Sequence, residues 1–211
     1  LIINKEKNDE IIDLVENGRL LEFYKENNQE NRREGNIYAG VVKDVIEGMQ
    51  SAFVDIGAEK NSFIHIKDIL PKIDERKEKY DETAKISGVV KRNDKILVQV
   101  KKDSSEKKGA RISTHISLTS KFIVYMPNTT VITISQKIES EKEKNRLQDI
   151  VKKNISKGNG AIIRTSAEGK SEQEIIEDIK NVENKWNKIL DKYNKECNNA
   201  CLIVQGETIE E

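Results

Sequence analysis

The sequence predicts a mixed α and β chain: a small five-stranded β-barrel of OB type, a small α/β unit after it, and a β-hairpin before it. Three observations predict this. Asn17-Gly18 lies between apolar-rich flanks, Val15 before it and Leu20-Leu21 after it, the strongest short-range hairpin signal. Between Gly35 and His115 come five short runs of strand character: Ile37–Ile46, Gln50–Ile56, Ser62–Ile66, Ile96–Lys102 and Arg111–Ile116. Gly48, Gly57-Ala58, Lys60-Asn61 and Gly109 punctuate them, which is the spacing of a small Greek-key barrel. From Ser117 onward, short apolar strands alternate with helical periodicity.

In the first block, Leu20–Tyr24 reads as the return strand of the hairpin and Lys25–Glu34 as a polar connection. A hairpin alone is marginal in water, so it needs a partner sheet, and none is obvious in this chain. In the second block, Pro71–Lys85 is a highly charged insert that reads as a loop. In the third, Phe122–Met126 is a strand closed by Pro127-Asn128, and Val131–Ile134 is another. Lys142–Asn154 reads as a helix with Leu147, Ile150 and Val151 on one face. Ala161–Arg164 is a strand, and Cys201–Val204 the last one. Between them Ile175, Ile179, Val182, Trp186, Ile189 and Tyr193 recur every three or four residues, a helix opened by the capping box Ser171 and Glu174. That stripe reads as core; the alternative is a protein-interaction surface.

Composition bounds the function. The chain has 211 residues, room for one large or two small domains. Lys+Arg and Asp+Glu both number 37, so any basic footprint for nucleic acid must be local. At 35% charged and 5% aromatic residues, the apolar supply suits thin cores. No apolar run approaches the ~18 residues of a membrane span. The start, Leu1-Ile2-Ile3-Asn4-Lys5, lacks the order of a signal peptide and an initiator Met, so the chain reads as trimmed. Cys197 and Cys201 are too few for a disulfide framework, and the default is a reducing cytoplasm. A single C-x-x-x-C pair is half a zinc ligand set, so two ordinary thiols is the favoured reading.

The chemistry gathers on two barrel strands. Alternation puts Ala52, Val54 and Ile56 on the core face and Ser51, Phe53 and Asp55 on the wet face. It puts Ser62, Ile64 and Ile66 inward, and Asn61, Phe63 and His65 outward. Rings on the polar side of adjacent strands form a platform on which bases stack, at about 1–3 kcal/mol each. Lys107, Lys108 and Arg111 stand at the start of the last strand, where cations hold phosphates. The competing reading packs Phe53 and Phe63 against a loop or neighbouring domain and leaves His65 a surface imidazole. Two rings, a histidine and nearby cations tilt the balance toward RNA.

Gly40-Val41-Val42, Ser51–Gly57 and Ser62–Ile66 resemble the S1 RNA-binding domain. With Leu1–Asn4, Glu16–Leu20, Gly35–Gly40, Gly48–Gly57, Thr114–Leu118, Met126–Asn128 and Ile163–Thr165, they occur in the order seen in the bacterial ribonuclease E/G family, over essentially the whole chain. The resemblance implies residues 1–33 as the first piece of a ribonuclease-H-like subdomain, whose missing partner would explain the solitary hairpin. It implies 34–116 as the S1 domain, 117–206 as a small α/β 5′-sensor, and 207–211 as the start of a remainder. It places the RNA platform on Phe53 and Phe63 with Lys108 on the backbone. The sensor's Arg-Thr pair, which reads a 5′ monophosphate, falls on Arg164 and Thr165, with Val124 lining the pocket. Two basic residues commonly follow Ile-Ser in the family; here they are Gln136 and Lys137, the first a departure. A planar guanidinium binds phosphate oxygens two at a time, which supports Arg164 on physical grounds.

The resemblance further implies a single-strand-specific endoribonuclease parent in RNA processing, decay and rRNA maturation. Its Mg²⁺-binding aspartates and structural Zn²⁺ site would lie outside this chain, so the chain itself is expected to bind RNA without cutting it. The expected partner is single-stranded RNA with a 5′ monophosphate, not DNA; the parent would be a cytoplasmic homo-oligomer and this piece a monomer. The rival is a stand-alone S1-type RNA-binding protein without nuclease activity.

Overall fold

A computed structural model describes residues 2–6, 9–16, 19–27, 33–69, 85–105, 108–195 and 199–206, the segments up to residue 27 as backbone only. The strands and helices, in chain order, are β1 (Ile2–Glu6), β2 (Asp9–Glu16), β3 (Arg19–Asn27), β4 (Ile37–Ile46), β5 (Ser51–Asp55), β6 (Ser62–His65), α1 (Ile86–Val89), β7 (Lys95–Lys102) and β8 (Arg111–Ser113). There follow β9 (Leu118–Thr119), β10 (Ile123–Met126), β11 (Ile132–Ile134), α2 (Glu141–Asn154), β12 (Gly160–Ile163), α3 (Glu172–Lys195) and β13 (Cys201–Val204).

β2 and β3 pair antiparallel across the Asn17-Gly18 position, with Glu16 opposite Arg19, as the hairpin signal requires. The turn residues themselves, like Lys107, Cys197 and most of the charged insert Pro71–Lys85, lie outside the described residues. The expectation of a partnerless hairpin is corrected: β1 pairs with β2, Ile2 opposite Asp13, making a three-stranded sheet. β3 also runs on to Asn27, into what the sequence reads as connection.

β4, β5, β6, β8 and β7 follow one another and close back on β4 through the β4–β7 pairing. This is the five-stranded S1/OB-type barrel. All its pairings are antiparallel except β6–β8, where Phe63 lies opposite Arg111. Tyr38, Val42, Ala52, Val54, Ile64, Val98, Val100 and Ile112 fill its core. Gly109 is needed at the seam: a Cβ there would stand 1.9 Å from the Asn61 carbonyl oxygen.

The second unit is a four-stranded sheet, β11-β12-β10-β9, covered on one face by α2 and α3. The predicted helical stripes are buried: Leu147, Ile150 and Val151 on α2, and Ile175, Ile179, Val182, Trp186 and Ile189 on α3. That settles the α3 stripe as core. Ser171 and Glu174 form the capping box reciprocally, at 2.9 Å and 3.3 Å.

The two units share a wall. β13, which follows α3 in sequence, pairs with β4 of the barrel. Consecutive β4 residues then serve different cores. Ile37 and Ala39 join Ile203 in the α/β core, while Tyr38 and Val42 face the barrel interior. Gln99 of β7 sends its amide to the carbonyls of Gly35 and Ser117, at 3.1 Å and 3.0 Å, tying the start of the barrel to the start of the α/β unit. Cys201 is disulfide-bonded, so the ordinary-thiol reading is corrected for it. Among the described residues no helix is long and apolar enough to cross a membrane.

Candidate RNA interface and phosphate pocket

On β5 and β6 the alternation holds at the rings. Ala52, Val54 and Ile64 are fully buried, while Phe53, Phe63 and His65 are part-exposed. Phe53 lies directly opposite Phe63 in the ladder. Their centroids are 6.1 Å apart with planes at 68°, an edge-to-face pair. One ring therefore braces the other while part of each stays open to solvent. Ser51 departs from the predicted wet face: it is buried, and its hydroxyl bonds the Met49 carbonyl at 2.8 Å. Gln50 takes φ 48 rather than strand geometry, so β5 starts one residue later than expected. Ile66 opens a short 3₁₀ turn and is only part-buried.

The platform's charged surroundings are uneven. His65 Nδ1 accepts from the Lys67 N–H at 3.2 Å, capping that turn. Arg111 is exposed, yet its guanidinium grips Asp68 at 2.9–3.2 Å, so its charge already has a partner. Lys108 is exposed, its amide donates to Ser105 Oγ at 3.2 Å, and among the described residues no carboxylate pairs with its ammonium. Asp55 is held below the usual carboxylate range, first by the Gly57 N–H and then by Lys43 at 3.2 Å.

The second candidate locus lies at the end of β12. Val124 and Ile162 are opposite each other on the uncovered face of the small sheet, where Ile162 is 39% exposed. Arg164 and Thr165 follow at once, both exposed. Among the described residues Arg164 has no ion-pair partner: its Nη1 donates to the Ser120 carbonyl at 2.5 Å and the Lys121 carbonyl at 3.4 Å. Ser166 Oγ donates to the same Lys121 carbonyl at 2.5 Å. A guanidinium anchored through one nitrogen keeps its remaining donors for an oxyanion. Lys137 is exposed in the turn after β11, its amide on Ser135 Oγ at 3.4 Å; Ser135 in turn bonds Ile163, the neighbour of Arg164.

Sequence reasoning missed Ser120, Ser166 and Asp178. The last left a signal: an aspartate three residues after Ile175 and four before Val182 occupies a core position of the apolar stripe. Among the described residues no three His, Cys, Asp or Glu side chains stand together as a metal site requires.

Residues 117–211 match the family model described as "Ribonuclease E/G family". The chain is 41% identical over 198 residues to "Ribonuclease G" of Haemophilus influenzae, covering 92% of this chain and 40% of that relative. It is 36% identical over 195 residues to "Ribonuclease G" of Escherichia coli strain K12, covering 91% and 40%. To "Ribonuclease E" of Nostoc sp. it is 38% identical over 156 residues, covering 74% and 22%. The chain thus spans about 40% of the length of the curated ribonuclease G relatives it matches. On the family-model match over residues 117–211 and the 36–41% identity to these relatives over most of the chain, the chain belongs to the ribonuclease E/G family.

Proposed function

We propose that this chain is the RNA-gripping and 5′-monophosphate-sensing part of a single-strand-specific endoribonuclease acting in RNA processing, decay and rRNA maturation. The observation that carries the reading is the juxtaposition of Phe53 and Phe63 on the open face of a closed barrel. Such a pair takes bases by their π-faces whatever their sequence. Lys108, exposed and with no carboxylate partner among the described residues, adds a phosphate contact beside it, and His65 flanks the rings. Arg111 serves less well, because a phosphate would have to compete with Asp68.

Arg164 and Thr165 supply the end-reading pocket, Val124 its apolar wall and Lys137 a second cation. In this reading the 5′ phosphate takes the guanidinium donors left over by Ser120 and Lys121, and a 5′ hydroxyl cannot. The partner is single-stranded RNA rather than DNA, and the parent is a cytoplasmic homo-oligomer. The parent's cleavage chemistry would be Mg²⁺-dependent and its protomers linked by structural Zn²⁺. Among the described residues no three His, Cys, Asp or Glu side chains stand together, and no cleavage step is assigned to them. The chain alone is expected to bind RNA without turnover.

The test is direct. Single-stranded RNA labelled at its 3′ end is titrated with the chain, once with a 5′ phosphate and once with a 5′ hydroxyl. Tighter binding of the phosphorylated strand, lost in Arg164→Ala, is the expected result. A preference that survives Arg164→Ala counts against the pocket, and Mg²⁺-dependent cleavage by the chain counts against its assignment as a binding part.

A further inference from the structure

We propose that Asp178, inside the core stripe of α3, is a positioning residue that aims the Arg164 guanidinium. This rests on the reading of Arg164 as the phosphate-binding group. Asp178 is 6% exposed. Among the described residues its carboxylate has no cationic partner; all its bonds go to the turn between β9 and β10. Oδ1 accepts from the Ser120 hydroxyl and from the Lys121 N–H at 3.3 Å, and Oδ2 from the Phe122 N–H at 2.9 Å. Three donors let the carboxylate stay in a position where an isolated one would be costly.

Those donors belong to the peptide units that hold Arg164. The Lys121 N–H and the Ser120 C=O are two ends of one planar trans peptide, and so point in opposite directions. The Phe122 N–H and the Lys121 C=O are two ends of the next. With both N–H groups drawn inward onto Asp178, both carbonyls are turned outward. Arg164 Nη1 meets both of them, and Ser166 Oγ meets the second. A buried carboxylate on a helix thus fixes the angle of an exposed guanidinium through two rigid peptide planes. An apolar residue at 178 would leave the Lys121 and Phe122 N–H groups without these acceptors and the two planes held only from the carbonyl side.

The experiment compares the ratio of 5′-hydroxyl to 5′-phosphate Kd for wild type, Arg164→Ala, Asp178→Asn and the double variant. Asparagine keeps the size of the side chain, but its NH₂ opposes one N–H of the turn. The expected result for Asp178→Asn is a ratio reduced about tenfold, the scale of one charge-assisted hydrogen bond, with 5′-hydroxyl binding unchanged. In the Arg164→Ala background the same change has no further effect on the ratio. A folded Asp178→Asn protein with the wild-type ratio overturns the proposal. So does an equal loss of affinity for both RNAs, which marks a purely structural role. If wild type shows no preference, or Arg164→Ala keeps it, the phosphate-pocket reading itself has failed. Should Asp178→Asn not fold, Ser120→Ala removes only the hydroxyl donor. Its ratio is expected to fall about threefold, a weaker bond's worth, and an unchanged ratio overturns the proposal.

Discussion

Lys95 and Tyr193 hold each other by exchanged hydrogen bonds across the junction of barrel and helix. The Lys95 ammonium donates to the Tyr193 carbonyl at 2.7 Å, and the Tyr193 hydroxyl donates to the Lys95 carbonyl at 3.0 Å. The same ammonium stands 4.3 Å from the centre of the Tyr193 ring. Burial pushes the phenol upward from its ordinary value, so the hydroxyl remains a donor through the neutral range. Close by, Lys192 donates to the Ile203 carbonyl of β13 at 2.9 Å. The last turns of α3 are therefore fastened both to β7 and to the strand that extends the barrel wall.

Tyr193→Phe removes one of these hydrogen bonds and keeps the ring under the ammonium. It is expected to cost about 1 kcal/mol, a fall in Tm of about 2–4 °C for a chain of this size. Lys95→Met, which loses both the cation–π contact and the bond to the carbonyl, is expected to cost more. Differential scanning calorimetry of the two variants checks the order. Tyr193→Phe costing more than Lys95→Met would place the junction's strength in the tyrosine hydroxyl's bond to the Lys95 carbonyl rather than in the ammonium.

The ring platform predicts a pattern of RNA affinity. Phe53→Ala and Phe63→Ala are each expected to weaken binding of single-stranded RNA by about 1–3 kcal/mol. Because the rings brace each other edge to face, the double variant is expected to lose less than the sum of the two. Fluorescence anisotropy with an unstructured oligonucleotide measures all three. Strict additivity would mean that the rings act as independent stacking sites.

How far the sequence could be read follows from which forces act locally. The side-chain alternation of β5 and β6 was legible because one face of each strand is buried, and burial imposes a period of two. The helical stripes and the capping box of α3 were legible for the same reason at another period. The β4–β13 pairing was not, because a strand that adds to a barrel wall carries no pattern naming its neighbour. Nor was the Asp68 partner of Arg111, since those residues lie 43 positions apart and meet only when the barrel closes. Arg164 could be singled out only through the family resemblance: a strand-end arginine looks like any solvated charge until its carbonyl anchors are seen. Asp178 was visible as an aspartate out of place, but its purpose depends on a turn more than fifty residues earlier in the chain.

Salt dependence separates the two basic groups of the barrel. Among the described residues Lys108 has no carboxylate partner, so Lys108→Ala is expected to lower the slope of log K against log salt by about 0.7, one phosphate contact on single-stranded RNA. Arg111 is already neutralised by Asp68, so Arg111→Ala is expected to change that slope much less while loosening the 3₁₀ turn that Asp68 belongs to. Titrations at several salt concentrations decide. Equal slope changes for the two variants would show that RNA displaces Asp68 from Arg111.

The joint between α2 and α3 predicts a pH dependence with a definite sign. The Arg146 guanidinium grips Glu143 with two bonds, at 2.8 Å and 2.7 Å, and the Gly169 N–H adds a third at 3.0 Å. Arg146 also donates to the Lys170 carbonyl at 2.8 Å, so the pair lashes the first turn of α2 to the approach of α3. These donors, the guanidinium first, hold the Glu143 carboxyl down at about 2 against an ordinary 4.5. The folded value lies below the unfolded one, so the stabilisation is fully present above pH 4.5 and is lost as pH falls toward 2. The pair is partly open to water, which limits its worth to about 1 kcal/mol. Glu143→Gln is therefore expected to be less stable than wild type by about that amount at neutral pH, and the gap is expected to close progressively in acid. Urea unfolding of both proteins across this range measures it. A gap that stays constant down to the acid limit would assign the loss to the geometry of the amide rather than to the charge of the carboxylate.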